Sequence, residues 1–243
     1  MADAVLKVFR GDASGGEEKT YRVPLVEGMV VLDALHYIQA HYDGDLAVRW
    51  NCKAGKCGSC STEINGRPRL ACKTRMDLFG ENEIHVWPMH AFPLIKDLVT
   101  DVSANYRIAQ EIPAFTPSDT NVPWTIQNQD MERVQEFRKC IECFLCQDVC
   151  HVLREHDGIG RYHGPRFMVK IAALEMHPKD TLKRTRYLKE KGGLGLCNIT
   201  KCCQELCPEH IHITDNAIIP LKERVADDFY DPVRWALRKI KGE

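Results

Sequence analysis

The sequence has no excess of either charge. Its 33 Lys and Arg against 34 Asp and Glu leave a formal net charge of −1 over 243 residues. It therefore lacks the basic footprint of a nucleic-acid-binding protein, and no nucleic-acid partner is expected. No apolar run approaches the roughly 20 residues that span a bilayer. Met1 to Arg10 has neither the basic start nor the apolar core of a signal peptide, so the expected setting is a reducing compartment. There, twelve cysteines argue against a disulfide framework. The remaining composition, 44% hydrophobic and 28% charged, is that of a soluble globular chain long enough for two ordinary domains.

What the sequence does have is cysteine in ordered spacing. The first half carries Cys52-x4-Cys57-x2-Cys60 and then Cys72, the plant-type ferredoxin spacing for a [2Fe–2S] cluster. The second half carries Cys140-x2-Cys143-x2-Cys146-x3-Cys150 and then Cys197-x5-Cys203-x3-Cys207-Pro208, the bacterial spacing for a pair of cubane-like clusters. Zinc is the rival, because thiolates also hold zinc in closed tetrahedral sites. Zinc sites usually show two separated pairs, and three cysteines at i, i+3 and i+6 with a fourth at i+10 suit a cubane better. Several clusters in one chain imply movement of single electrons.

The segments between the cysteines set the expected fold class, α+β. Residues 4–9 and Lys19 to Leu25 read as strands around a turn at Gly15-Gly16. Val31, Leu32, Leu35 and Ile38 recur at helical spacing and predict an amphipathic helix over 30–42. Asn65-Gly66, between Ser61–Ile64 and Arg67–Ala71, is a hairpin signal, and Asn82 to Pro88 predicts a closing strand. Strand, strand, helix, cysteine loop, hairpin, strand is the order of a β-grasp ferredoxin domain, assigned to 1–104. Residues 93–112 are expected to be helical. Pro113, Pro117 and Pro123 mark 105–128 as an ordered linker. Residues 129–243 are expected to be a mostly α-helical, bacterial-ferredoxin-like domain, with helices at Glu132 to Cys140, Arg166 to Met176 and Asp215 to Asp227. Glycines 192, 193 and 195 break the chain before Cys197.

The second half contains an internal repeat: Cys140-x2-Cys143-x2-Cys146-x3-Cys150 aligns with Cys197-x2-Thr200-x2-Cys203-x3-Cys207. In two-cluster ferredoxins the fourth cysteine of each run serves the other cluster. That rule assigns Cys140, Cys143, Cys146 and Cys207 to a [4Fe–4S] cluster. It leaves Cys150, Cys197 and Cys203 for the next, with Thr200 as a poor fourth ligand, so [3Fe–4S] is expected. Cys52, Cys57, Cys60 and Cys72 take the [2Fe–2S] cluster. Cys202, adjacent to Cys203, is expected to point elsewhere as a buried thiol; as a ligand it would make the third cluster [4Fe–4S]. Gly55, Gly58 and Ser59 suit a tight loop that offers backbone N–H groups to sulfur. Arg49, Lys53 and Lys56 are either tuning charges or ordinary solvated and docking charges.

With these residues in place, the chain resembles the iron–sulfur subunit of succinate dehydrogenase and fumarate reductase, the succinate:quinone oxidoreductases. The resemblance spans nearly the whole length. It rests on Cys52-Lys-Ala-Gly-Lys-Cys57-Gly-Ser-Cys60, on the hairpin leading to Leu70-Ala71-Cys72, on Cys140-Ile-Glu-Cys143-Phe-Leu-Cys146, and on the Cys197/Cys203/Cys207-Pro208 tail. It implies a flavoprotein partner with covalent FAD, a membrane-anchor partner, and electrons passing from flavin through [2Fe–2S], [4Fe–4S] and [3Fe–4S] to quinone. It further implies a respiratory-chain and tricarboxylic-acid-cycle role at the cytoplasmic face of the cell membrane, with no catalytic acid–base residue on this chain. Ubiquinone-linked relatives have a proline after the position of Cys150 and a tryptophan pair nearby. Here His151 follows, Arg154 and Glu155 occupy the region of the pair, and Asn198 stands where a histidine is common, so the ubiquinone pocket does not carry over, and a menaquinone-linked enzyme or a divergent anchor is expected. His151 is either a proton carrier or a packed residue, the second reading being preferred. His210 and His212 receive no role. The basic tail with Trp235, Leu237 and Ile240 reads as a lipid- or anchor-facing segment or as a surface helix. The alternative assembly is a soluble fumarate reductase or a heterodisulfide-reductase-like complex.

Overall fold

The computed structural model describes residues 3–80, 83–117, 124–155 and 160–233. These fall into two compact units. One holds residues 3–105 with Ile141–Val149; the other runs from Tyr106 to Cys140 and from Cys150 onward. Asn82, Pro123, Trp235, Leu237 and Ile240 lie outside the described residues.

In the first unit, alternation with period two sets the strands. Ala4, Leu6 and Val8 of β1 (Asp3–Asp12) and Tyr21 and Val23 of β2 (Gly15–Pro24) face one core. On that face α1 (Val31–His41) buries Val31, Leu32, Ala34, Leu35 and Ile38. Each of the Val, Leu and Ile side chains, fully buried, contributes about 1.5–3 kcal/mol. β3 (Ser61–Ile64) and β4 (Arg67–Leu70) form a hairpin whose turn residues Asn65 and Gly66 have φ of 49° and 71°, the left-handed pair that a type I′ turn requires. β5 (Ile84–Trp87) runs parallel to β1, and β6 (Leu94–Lys96) and β7 (Val99–Thr100) follow. Among the described residues the sheet order is β4-β3-β5-β1-β6-β7, with β2 also on β1.

Two expectations are corrected here. The first turn lies at Ala13–Ser14, and Gly15 and Gly16 are inside β2. Asp12 makes that turn locally, its carboxylate accepting the Ser14 N–H at 2.8 Å. Gly16 is a glycine because a Cβ there would lie 2.5 Å from the Phe9 ring. Residues 93–112 are β6 and β7 before they are helix; α2 begins only at Ser103 and ends at Glu111. Asp97 holds the short strands, its buried carboxylate accepting the Gly11 N–H at 3.0 Å, the Ala47 N–H at 2.8 Å and Arg10 Nε at 3.1 Å. No local periodicity encodes those partners.

The remaining elements are α3 (Asn128–Gln135) with a 3₁₀ turn at Glu136–Lys139, α4 (Leu145–Asp148), α5 (His151–Glu155), α6 (Pro165–Glu175), α7 (Thr185–Glu190) with a 3₁₀ turn at Leu194–Leu196, α8 (Cys202–Glu205), and α9 (Ile219–Phe229). α6 has Pro165 in its first turn, where the missing N–H costs nothing, and buries Phe167, Met168, Val169, Ile171 and Ala172. The helix expected over Asp215 to Asp227 is present, opening as a π-turn, Ile213–Ile218, that runs into α9. Pro220 sits in the first turn of α9.

Glu136 ties the turn after α3 to the segment that follows the last cysteine. It accepts the His212 N–H at 2.7 Å, lies 2.6 Å from His212 Nδ1, and accepts Asn216 Nδ2 at 2.6 Å. Burial opposes its charge, but these donors outweigh burial and hold its pKa below the usual 4.5. A depressed carboxylate stabilises the fold above its unfolded pKa, and that stability is lost as pH falls. Thermal melts of the Glu136→Gln variant should accordingly show a flatter decline below about pH 4.5 than the parent protein; identical pH slopes would exclude Glu136 as a contributor.

Candidate cluster-binding sites

Cys52, Cys57, Cys60 and Cys72 all lie in the first unit. The loop from Cys52 to Cys60 turns through positive φ at Lys53 (53°), Gly55 (66°) and Gly58 (70°). Those turns aim backbone N–H groups at sulfur. Cys52 Sγ accepts from Ala54 N at 3.4 Å and Lys56 N at 3.3 Å. These donors lower the Cys52 thiol to about 6, the Ala54 N–H contributing most. Cys72 N donates to Cys60 Sγ at 3.4 Å, while burial pushes the Cys60 thiol up to about 12. Cys57 hydrogen-bonds the Cys52 thiol and interacts electrostatically with Cys60, which in turn meets Cys72. Lys53 sits 4.7 Å above the Trp50 ring and 3.3 Å from His36 Nδ1. It is thus held by an aromatic pair on the loop's outer face.

Ile141–Val149 packs in the same unit. Leu145 enters its core, Phe144 lies 6.2 Å from Phe92, Ala91 N donates to Asp148 Oδ1 at 2.9 Å, and Ser61 Oγ lies 2.8 Å from both Gly58 O and Cys143 O. A Cβ on Gly58 would come 2.6 Å from Cys143 Cα, at a φ of 70°. Gly58→Ala should therefore strain the first loop and displace Cys143 together, costing about 1–3 kcal/mol. The expected result is reduced iron content and weakened paramagnetism of the reduced [2Fe–2S] centre. Full iron content with unchanged spectra would show that the loop relaxes freely.

The internal repeat holds in three dimensions. Glu142 and Phe144 flank Cys143 with φ of 55° and 60°; Ile199 and Lys201 flank Thr200 with 60° and 62°. α4 opens after Phe144, and Gln147 N and Asp148 N donate to Phe144 O at 2.9 and 3.0 Å. α8 opens after Lys201, and Gln204 N and Glu205 N donate to Lys201 O at 3.0 and 3.1 Å. Cys140 N donates to Phe137 O at 3.4 Å and Cys197 N to Leu194 O at 3.3 Å. Left-handed conformation costs a non-glycine residue roughly 1–2 kcal/mol. Four such residues persist here because alternating signs of φ turn successive N–H groups to one side, the concave nest that binds anions and iron–sulfur clusters. The residues present therefore fit the clusters the spacing implies.

Cys150, Cys197 and Cys203 come together in the second unit around Tyr162, whose ring is 1% exposed and whose hydroxyl couples to all three thiols. Burial pushes the Cys150 thiol up to about 11. Cys203 Sγ lies 3.6 Å from Thr214 Oγ1 on the π-turn, and Lys222 Nζ donates to Cys197 O at 2.7 Å. Cys202 corrects an expectation. It does not turn away; its Sγ is 3.3 Å from Thr200 Oγ1, and it interacts with Cys203, Cys150 and His151. The reason is helical geometry: at the start of α8, neighbouring side chains are about 100° apart rather than opposed. Cys203, first among its partners, draws the Cys202 thiol down to about 5. His151 is exposed at the start of α5. Cys207 Sγ accepts from Ile211 N at 3.5 Å. No disulfide joins any of the twelve cysteines. Among the described residues no three Cys, His, Asp or Glu side chains converge where a single ion would sit, and no helix is long and apolar enough to cross a membrane. Sequence reasoning missed Tyr162, Thr214 and Lys222, for which no spacing signal exists.

A β-grasp sheet with one cysteine loop, followed by helices bearing a duplicated cysteine nest, defines an iron–sulfur protein with a plant-type and a bacterial-type half. Residues 5–107 match the family described as a 2Fe-2S iron-sulfur cluster binding domain, and residues 136–211 the 4Fe-4S dicluster domain. The fumarate reductase iron-sulfur subunit of Haemophilus influenzae is 33% identical over 79% of this chain and 80% of its own length. A subunit of the fumarate reductase (CoM/CoB) of Methanothermobacter marburgensis is 32% identical over 97% of this chain, which spans only 47% of that protein. A chain of the Mycobacterium smegmatis Sdh1 complex superposes with a TM-score of 0.93 at 59% identity, over 95% of this chain and 98% of that one. The chain belongs to the iron–sulfur subunit family of succinate dehydrogenases and fumarate reductases.

Proposed function

We propose that this chain is the electron-transfer subunit of a succinate:quinone oxidoreductase, working between the FAD of a flavoprotein partner and menaquinone beside a membrane-anchor partner, at the cytoplasmic face of the membrane. Cys52, Cys57, Cys60 and Cys72 would hold [2Fe–2S]. Cys140, Cys143, Cys146 and Cys207 would hold [4Fe–4S], and Cys150, Cys197 and Cys203 would hold [3Fe–4S]. Bound there, the clusters supply one-electron chemistry at potentials set by their surroundings. The chain's own work is to hold and insulate them. Backbone N–H groups of the first loop and of the two nests offset sulfur's negative charge, and Lys222 places a cation at the Cys197 carbonyl.

The observation that carries this reading is the repeated nest with Thr200 in the place of Cys143, which supports one four-thiolate and one three-thiolate set in a single chain. The test is electron paramagnetic resonance of the isolated complex, oxidised and then reduced, with an iron count. A signal in the oxidised state with about nine irons is expected, because [3Fe–4S] is paramagnetic when oxidised. Zinc in place of iron, in protein prepared without oxygen, would overturn it. A second reading, a thiol-linked fumarate reductase, draws on the methanogen relative's name. Purification with a flavoprotein and a membrane subunit favours the first reading, and purification with a flavoprotein but no membrane subunit favours the second.

A further inference from the structure

Tyr162 is the strongest unexplained residue near the third cysteine set. Its hydroxyl is buried and has no hydrogen-bond partner of normal geometry among the described residues. Leaving such a group unsatisfied costs roughly 1–3 kcal/mol, and native proteins seldom do so unless a bound group takes the bond. What faces the hydroxyl is sulfur: Cys197 foremost, then Cys150 and Cys203.

The residue is also pinned from both sides. A Cβ on Gly193 would lie 1.9 Å from Arg161 O and 2.9 Å from Tyr162 Cα, so the chain at 161–162 rests directly on that glycine. His163 N donates to Gly192 O at 3.1 Å, and His163 Nε2 lies 2.8 Å from Tyr187 OH. These contacts hold the backbone on either side of Tyr162, and the residue itself is 1% exposed.

We propose that the Tyr162 hydroxyl donates a hydrogen bond to the third cluster, at Cys197 Sγ or an adjoining sulfide, and thereby raises its reduction potential. The inference rests on the assignment of Cys150, Cys197 and Cys203 as ligands. A phenol is a donor at neutral pH, and donors to cluster sulfur stabilise the reduced, more negative form. Tyr162 acts through the cluster's surroundings as a positioning residue and exchanges no electron itself.

The experiment is a redox titration of the oxidised-state paramagnetic signal in the intact complex, comparing the parent with Tyr162→Phe. The expected result is the same signal and iron count, with the third cluster harder to reduce by about tenfold, or about 59 mV for a one-electron couple, and the other two clusters unmoved. An intact signal with an unchanged midpoint overturns the proposal. If Tyr162→Phe fails to retain the cluster, a fluorinated tyrosine at 162, a stronger donor on the same ring, should raise the midpoint, and no rise overturns the proposal. Absence of any oxidised-state signal in the parent complex would instead remove the ligand assignment itself, and the proposal with it, a failure distinct from an unmoved midpoint.

Discussion

Thr200→Cys is expected to convert the third cluster from three irons to four. Iron per complex should rise from about nine to about ten, and the paramagnetic signal of the oxidised state should disappear. The backbone is already arranged for the change. Thr200 lies between Ile199 and Lys201 at φ of 60° and 62°, as Cys143 lies between Glu142 and Phe144 at 55° and 60°. α8 opens after Lys201 just as α4 opens after Phe144. The Thr200 side chain is exposed, so exchanging it for a thiol requires no repacking. A thiolate there presents the fourth ligand from the position its repeat mate occupies. Iron content and spectra unchanged from the parent would mean that the two nests, alike in backbone, present different directions to their clusters. Cys202 is the control. Cys202→Ala in the parent should leave about nine irons, because its thiol is engaged by Thr200 and Cys203. A loss of iron in that variant would make Cys202 a ligand.

Arg184→Ala is expected to destabilise the second unit by about 3–5 kcal/mol, a large share of the 5–15 kcal/mol by which domains are stable. The guanidinium is fully buried and nearly every donor is used. It bonds Asp180 at 2.8 Å, Pro113 O at 2.9 Å, Ala114 O at 2.7 Å and Leu182 O at 2.9 Å, and Glu175 accepts the Arg184 backbone N–H at 2.7 Å. Removing the cation leaves the fully buried Asp180 carboxylate without its ion partner and takes a donor from three carbonyls. Arg184→Lys should recover little, because one ammonium cannot span the positions that a planar fork reaches. Denaturant unfolding of the isolated chain or complex measures this. Converting Asp180 to leucine in the Arg184→Leu background should restore part of the loss, since an apolar pair of similar volume can replace a buried ion pair. A single-variant loss below about 1 kcal/mol, the range of an exposed ion pair, would show that water reaches this site.

The same arginine shows where sequence reasoning stops. Prolines 113 and 117 mark the chain after α2 as irregular by local chemistry, although the linker expected over 105–128 starts inside α2 (Ser103–Glu111) and ends on the first residue of α3. That Pro113 and Ala114 carbonyls are bound by a buried guanidinium, and that Thr181 N donates to Thr116 O at 2.9 Å, depends on partners some seventy residues away. The hairpin at Asn65-Gly66 was legible because its left-handed pair is a property of two adjacent residues. β6 and β7 were not, because each is only two or three residues long and is held by Asp97 and the edge of β1. The Gly15-Gly16 pair misled for a related reason. Gly16 serves close cross-strand packing, Gly15 takes a φ of 134° with open space around it, and an Asp12 side chain supplies the turn.

By itself the sequence determined that this is an iron–sulfur protein with two kinds of cysteine spacing. Ligand spacing along a chain is a covalent property, and the repeat with its Thr200 gap is visible before any folding. Secondary structure of the long amphipathic segments, such as α1 and α6, follows from periodicity for the same reason. Only the tertiary structure decided that Ile141–Val149 belongs with the β-grasp unit, that Cys202 stands among the cysteines of the third set, and that the Tyr162 hydroxyl is aimed at sulfur with no other partner. Those outcomes turn on burial and on bonds between residues distant in sequence, which no spacing rule contains.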